Sequence, residues 1–143
     1  MNDRENRHFR FYHALEVRFS DTDLQGHVFF GNYLTFLDQG FLAYLRELGF
    51  GWDRLKKLGL EFYFVESACQ YYGKSYVEDI LHVHIQISKM GNSSLTVQGT
   101  VIRKESDEAV ASGSLIAVMV DSRTSRPTRI PDEFRTAVEL AQK

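Results

Sequence analysis

Asp21-Thr22-Asp23-Leu24-Gln25-Gly26-His27-Val28-Phe29-Phe30-Gly31-Asn32-Tyr33 joins two segments whose apolar residues recur with different periods. Before it, Phe9, Phe11, His13, Leu15, Val17 and Phe19 occupy alternate positions, with Arg10, Tyr12, Glu16 and Arg18 between them. Period two predicts a half-buried strand over 9–19. After it, Leu34, Leu37, Phe41, Tyr44, Leu45 and Leu48 return at steps of three and four. That spacing predicts a helix over about 31–48 with one apolar stripe. Asn32 is the expected N-cap and Gly49 the expected C-terminal stop. The connecting stretch therefore sets a carboxylate, Asp23, close to the unpaired N–H groups of a helix start. A carboxylate can attack a carbonyl carbon or take a proton from water, and helix-start amides can hold the resulting oxyanion.

Further along, Gly40 sits inside the expected helix, where it costs about 1 kcal/mol relative to Ala. A close approach by the sheet or by a neighbouring subunit would account for it. Trp52, Leu55 and Leu58 predict a second helix of roughly two turns. Residues 60–72 read as a long apolar strand, and 80–88 as a strand with Leu81, Val83, Ile85 and Ile87 on one face. His82, His84 and Gln86 fall on the other face. Met90-Gly91-Asn92-Ser93 reads as a hairpin turn and Ser106-Asp107-Glu108 as a second one. Strands follow each turn, the last over 109–120, and Phe134, Ala137, Val138 and Ala141 close the chain with a short helix. A long helix followed by a run of antiparallel strands predicts an α+β domain, the helix covering one face of a sheet of about five strands. The uncovered face keeps apolar positions and is expected to meet a partner.

The chain has 143 residues, 43% hydrophobic and 13% aromatic. That length suits one domain, here taken as 1–143, able to bury about 70% of its unfolded surface. A net charge of −2 with scattered Lys and Arg offers no footprint for nucleic acid. The charged start over 1–8 lacks a secretory apolar stretch, and the apolar run at 109–120 is too short for a bilayer. A cytoplasmic protein with no membrane association is expected. The lone Cys69 excludes an internal disulfide and is expected to be a buried, inert thiol. His82 and His84 share a face but have no third ligand in the pattern, so no metal or other cofactor is expected. Neither a Walker A loop, a dinucleotide fingerprint nor a Gly-x-Ser-x-Gly elbow occurs.

The motif from Asp21 to Leu34, with the order of elements over about 10–138, resembles the hotdog-fold acyl-CoA thioesterases of the 4-hydroxybenzoyl-CoA thioesterase type. The likeness continues through Val65–Tyr71, similar to that family's second strand, and Tyr76–Leu81, similar to its turn into the third. The resemblance implies an antiparallel sheet wrapped around one long helix and homodimers whose sheets join edge to edge, often paired into homotetramers. It also implies a site at the subunit boundary along which coenzyme A runs. Asp23 matches the catalytic acid, as nucleophile or as base, and the amides of Phe30 and Gly31 match the oxyanion donors. Gly26 reads as a residue chosen for its backbone or for close approach. His27 and Phe29 would line the site, and Asn32 would cap the helix or touch substrate. Phe29-Phe30 replaces the Tyr-His of many relatives and makes the pocket more apolar. Lys74 and Lys89 are the candidates for the coenzyme A phosphates, with Ser93 and Ser94 as hydrogen-bond partners. Asp21, of the same chemistry as Asp23, is expected to be structural.

The expected activity is hydrolysis of an acyl-CoA to a free acid and coenzyme A. Acyl carrier protein thioesters share the pantetheine arm and stay open as substrates. An enoyl hydratase would need a differently placed His–acid pair, and a non-catalytic acyl-CoA-binding protein would not need Asp23.

Overall fold

The computed structural model describes residues 9–143; the charged start over 1–8 lies outside the described residues. Five antiparallel strands form one sheet: β1 (Phe11–Glu16), β2 (Leu60–Tyr71), β3 (Ile80–Met90), β4 (Ser94–Arg103) and β5 (Glu108–Asp121). Their order across the sheet is β1-β3-β4-β5-β2. Three helices complete the α+β fold: α1 (Asn32–Glu47), α2 (Trp52–Leu58) and α3 (Asp132–Ala141).

α1 packs where the sheet sequence makes room for it. A Cβ on Gly40 would lie 2.7 Å from Val83 Cγ1 and 3.0 Å from Ile85 Cγ1. The helical glycine thus answers to the sheet of its own chain. Gly99 and Gly113 face each other in the β4–β5 register, and Leu37 of α1 seats over both. The alternating residues Leu81, Val83, Ile85, Leu95, Val97 and Val101 close the core beneath α1, all but fully buried. α1 lies mainly over β1, β3 and β4 and reaches β2 and β5 much less.

Some expectations need correction. The first strand stops at Glu16, and Phe19, counted as its last inward residue, sits in a short 3-10 turn over Phe19–Asp21 with 83% of its surface exposed. In α2 only Leu55 is buried; Trp52 and Leu58 are exposed. Gly31, not Asn32, occupies the N-cap of α1. The face away from α1 is polar at its centre, where Gln98, Thr100, Ser112 and Ser114 line a shallow depression of about 380 Å³ with Phe9. These positions carry amides and hydroxyls, so the uncovered face is less apolar at its centre than expected. On the same face, His84 is buried: its Nδ1 lies 2.8 Å from the Phe9 carbonyl oxygen, and Tyr12 tilts over the ring. Among the described residues no helix is long and apolar enough to cross a membrane.

Candidate active site

The segment between β1 and α1 is a tight hairpin pinned at both ends. The amide of Asp23 donates to the His27 carbonyl (3.0 Å), and that of Gly26 returns to Asp23 O (3.0 Å). Gly26 closes this turn with φ +84, a left-handed conformation that L side chains adopt at a cost. Nothing lies within 4 Å of where its Cβ would be, so the backbone, not crowding, requires glycine here.

The two aspartates have opposite surroundings. Asp21 is buried, and its carboxylate accepts from the Arg18 amide (2.8 Å), from Arg18 Nη2 (3.0 Å) and from Arg18 Nε (3.3 Å). The Asp21 carbonyl accepts from the Phe29 amide (3.0 Å) and from Asn32 Nδ2 (2.9 Å). Asn32 is therefore a tie between helix start and hairpin rather than a cap. Asp23 is half-buried, and only its Oδ1 is engaged, by the Gln25 amide at 2.8 Å. Its second oxygen has no partner among the described residues.

The helix start presents donors beside that hairpin. The Asn32 amide closes back on Phe29 O (2.9 Å) and that of Tyr33 on Phe30 O (3.2 Å). The amides of Phe30 and Gly31 meet no acceptor among the described residues. The positive end of a 16-residue helix backs them. A Cβ on Gly31 would stand 2.8 Å from Phe29 Cε2, so that ring lies against the turn. Phe29 and Phe30 are both exposed, with ring centroids 4.7 Å apart, and Phe30 meets Tyr71 of β2 edge-on at 5.8 Å.

A buried serine that sequence reasoning passed over holds this end together. Ser75, fully buried, accepts the Val28 amide on its carbonyl (2.8 Å) and the Tyr33 hydroxyl on its Oγ (3.1 Å). It joins the hairpin, α1 and the β2–β3 connection. Lys74, its neighbour, comes with it to this end of the molecule. His27 places Nδ1 3.2 Å from Val28 O and meets the edge of Tyr76. Nothing in the sequence pattern singled out Ser75, since an isolated serine in a loop carries no periodic signal. Asp38 was likewise missed. It sits half-buried on α1 without a partner among the described residues, and burial pushes its carboxyl up.

The other candidates lie elsewhere. β3 enters at this end, Glu16 pairing with Ile80, and leaves with Lys89 opposite Thr96. Nine steps at about 3.4 Å separate Ile80 from Lys89 by roughly 30 Å. Lys89, Ser93 and Ser94 thus occupy the far end of the sheet from Asp23 within one chain. Cys69 is only part-buried; burial still pushes its thiol up, keeping it protonated. Among the described residues no three His, Cys, Asp or Glu gather to hold a metal ion.

With this geometry in view, comparison with known proteins places the chain. Residues 17–138 match the Thioesterase-like superfamily. The chain belongs to that family. Among its relatives is YneP of Bacillus subtilis, 28% identical over 132 residues, which span 90% of this chain and 95% of YneP. The acyl-CoA thioester hydrolase YbgC of Escherichia coli is 23% identical over 117 residues, 82% of this chain and 87% of its own. The solved structure of BH1999, a gentisyl-coenzyme A thioesterase, superposes with a TM-score of 0.81 at 26% identity, covering 90% of this chain and 99% of that one. The likeness to hotdog-fold thioesterases read from residues 21–34 is borne out.

Proposed function

We propose that the protein is an acyl-CoA thioesterase, a single domain over 1–143, with Asp23 as nucleophile or general base. The observation that carries this reading is the pair of unengaged amides, Phe30 and Gly31, directly following the hairpin whose Asp23 keeps one carboxylate oxygen free. A thioester carbonyl oxygen set against those amides would gain most when it becomes an oxyanion, which is where donors lower a barrier. The carboxylate then adds to the carbonyl carbon or takes the proton of an attacking water. In the first route the C–S bond breaks to leave a mixed anhydride, which water hydrolyses to the free acid and the Asp23 carboxylate. In the second the C–S bond breaks and the acid leaves with the water's oxygen. In both, the thiolate takes up a proton. Family membership, with relatives named for acyl-CoA and gentisyl-coenzyme A hydrolysis, supports this chemistry. Gly26 supplies the turn, His27 and Phe29 line the approach, and Asn32 fixes the helix start.

A second copy completes the site in this reading. β2 is an edge strand of 12 residues whose free edge carries unpaired backbone groups and the exposed side chains of Tyr63, Phe64 and Val65. α1 leaves much of its inner face uncovered. Joining two β2 edges about a two-fold axis runs the strands antiparallel. The end of one sheet bearing Lys89, Ser93 and Ser94 then lies at the same end as Asp23 of the other copy. Lys74 of one chain with Lys89, Ser93 and Ser94 of the second would serve the coenzyme A phosphates. Dimers of such dimers are compatible with this arrangement, and acyl carrier protein remains an alternative thioester carrier.

Thiol release from a series of acyl-CoAs tests the reading. Wild type is expected to turn over, and Asp23→Asn and Asp23→Ala to lose at least about a hundredfold in kcat, roughly 2.7 kcal/mol. A folded Asp23→Ala protein with unchanged turnover would remove the assigned role. Binding of acyl-CoA without release of thiol would favour a non-catalytic binding protein.

A further inference from the structure

A second hollow lies away from the Asp23 hairpin, between the later half of α1, helix α2 and the start of β2. It has a volume of about 280 Å³. Leu42, Leu45, Trp52, Leu55, Phe62 and Phe64 line it, and Glu61 is the only charged residue at its wall. Three of these apolar side chains stay wet: Leu42 is 46% exposed, Trp52 72% and Phe64 45%. Apolar groups gathered into a concave surface and left in water mark a binding site rather than a packing defect.

Its position connects it with the reacting end of another copy. Along α1, twelve residues at 1.5 Å each put Leu42 roughly 18 Å from Phe30. In a two-fold pairing of β2 edges, the first half of one strand runs beside the second half of the other. Phe62 and Phe64 of one copy then come alongside Tyr71 of the second, the residue whose ring meets Phe30. The hollow of one chain thus opens next to the helix start of the other.

We infer that this groove seats the hydrocarbon part of a straight-chain acyl thioester held at the helix start of a second copy, an inference that rests on the thioesterase reading above. Apart from the Glu61 carboxylate and the Trp52 indole N–H, every side chain in the lining is hydrocarbon, so an alkyl chain matches it best. Its volume is near the lower limit of small-molecule sites, about 300 Å³, and suits one chain rather than a docked helix. Each CH₂ moved from water into it is worth about a fourfold gain in affinity.

Trp52 is the sole tryptophan of the chain, so its emission reports this groove alone. Asp23→Asn protein, which keeps the ligand intact, is titrated below micellar concentrations with coenzyme A, acetyl-CoA, octanoyl-CoA and dodecanoyl-CoA. Octanoyl- and dodecanoyl-CoA are expected to shift Trp52 emission to the blue, and coenzyme A and acetyl-CoA to leave it unmoved. Leu42→Glu, a change at a solvent-facing position, should abolish the shift. It should also lower kcat/KM for octanoyl-CoA at least tenfold while acetyl-CoA stays within twofold. Emission indifferent to dodecanoyl-CoA, or equal losses on both substrates in Leu42→Glu, would overturn the inference. A blue emission in free dimer that no ligand changes would also overturn it, showing a side chain of the second copy in the groove. Failure of wild type to release thiol from any acyl-CoA instead defeats the thioesterase reading, and the titration still decides the groove.

Discussion

Two glycines flanking the hairpin differ in what they are for, and substitution separates the two reasons. Gly26 has open space around its missing side chain but a positive φ, so Gly26→Ala adds backbone strain of about 1 kcal/mol without a clash. Denaturant unfolding should register that loss in full. Gly31 has an ordinary backbone, but a methyl there would push into the Phe29 ring at 2.8 Å. Since Phe29 is exposed, the ring can swing out. Gly31→Ala should therefore unfold within about 0.5 kcal/mol of wild type yet lose at least tenfold in kcat, as the displaced ring disturbs the donors beside it. A stable variant with wild-type turnover would show that the helix start plays no part. The asymmetry between Asp21 and Asp23 belongs to this scale as well. Two acids two positions apart have the same composition signal, and only their partners distinguish the structural one from the free one.

At the level of elements, the carboxyl-terminal helix does more than cap the core. β1 pairs with β3 only as far as Phe11 opposite Ile85, so the next inward-paired residue on that side, Ile87, lacks a strand neighbour. The Gln142 amide substitutes for one: its Oε1 accepts the Ile87 amide and its Nε2 donates to Ile87 O, both at 2.8 Å. The same Oε1 accepts the Tyr44 hydroxyl of α1 at 2.8 Å, and burial pushes that phenol up to about 12. Gln142→Ala leaves part-buried backbone groups unpaired and should cost about 1–3 kcal/mol by urea unfolding. Adding Tyr44→Phe to that variant should cost less than Tyr44→Phe alone, because the shared acceptor has already gone. Additive losses would show that the three groups do not act as one clamp. The pattern of Phe134, Ala137 and Val138 foretold the helix; a glutamine one residue past its end, 55 positions from its partner, left no local trace.

For the whole molecule, the free edge of β2 is the feature that assembly must answer. The β2–β5 register shifts between Phe64 and Glu66, leaving Val65 out of the pairing and 62% exposed. Val65→Lys places a charge at that edge, the device by which sheets resist edge-to-edge joining. Sedimentation equilibrium should find wild type as a dimer or larger and the variant shifted toward monomer, with thiol release falling in parallel. A monomeric wild type that is fully active would break the link between the edge and the site. The polar centre of the outer sheet face, with Gln98, Thr100, Ser112 and Ser114, makes that face a poor apolar interface. Many of the exposed large apolar side chains lie elsewhere, Tyr63, Phe64, Val65 and Tyr71 on β2 and Leu42, Trp52 and Leu58 on α1 and α2.

The order of elements and the switch from period two to period 3.6 around residues 21–33 were legible from the chain alone. Each is a matter of spacing between near neighbours, and backbone geometry turns such spacing directly into faces and turns. What lies opposite a face was decided only in three dimensions. Ser75 under the hairpin, Gln142 against Ile87, the burial of His84 and the placement of Lys89 at the far end of the sheet from the Asp23 hairpin depend on which distant segments meet. That meeting is set by the packing of α1 into the saddle of Gly99 and Gly113, a fit of shapes that no local period encodes.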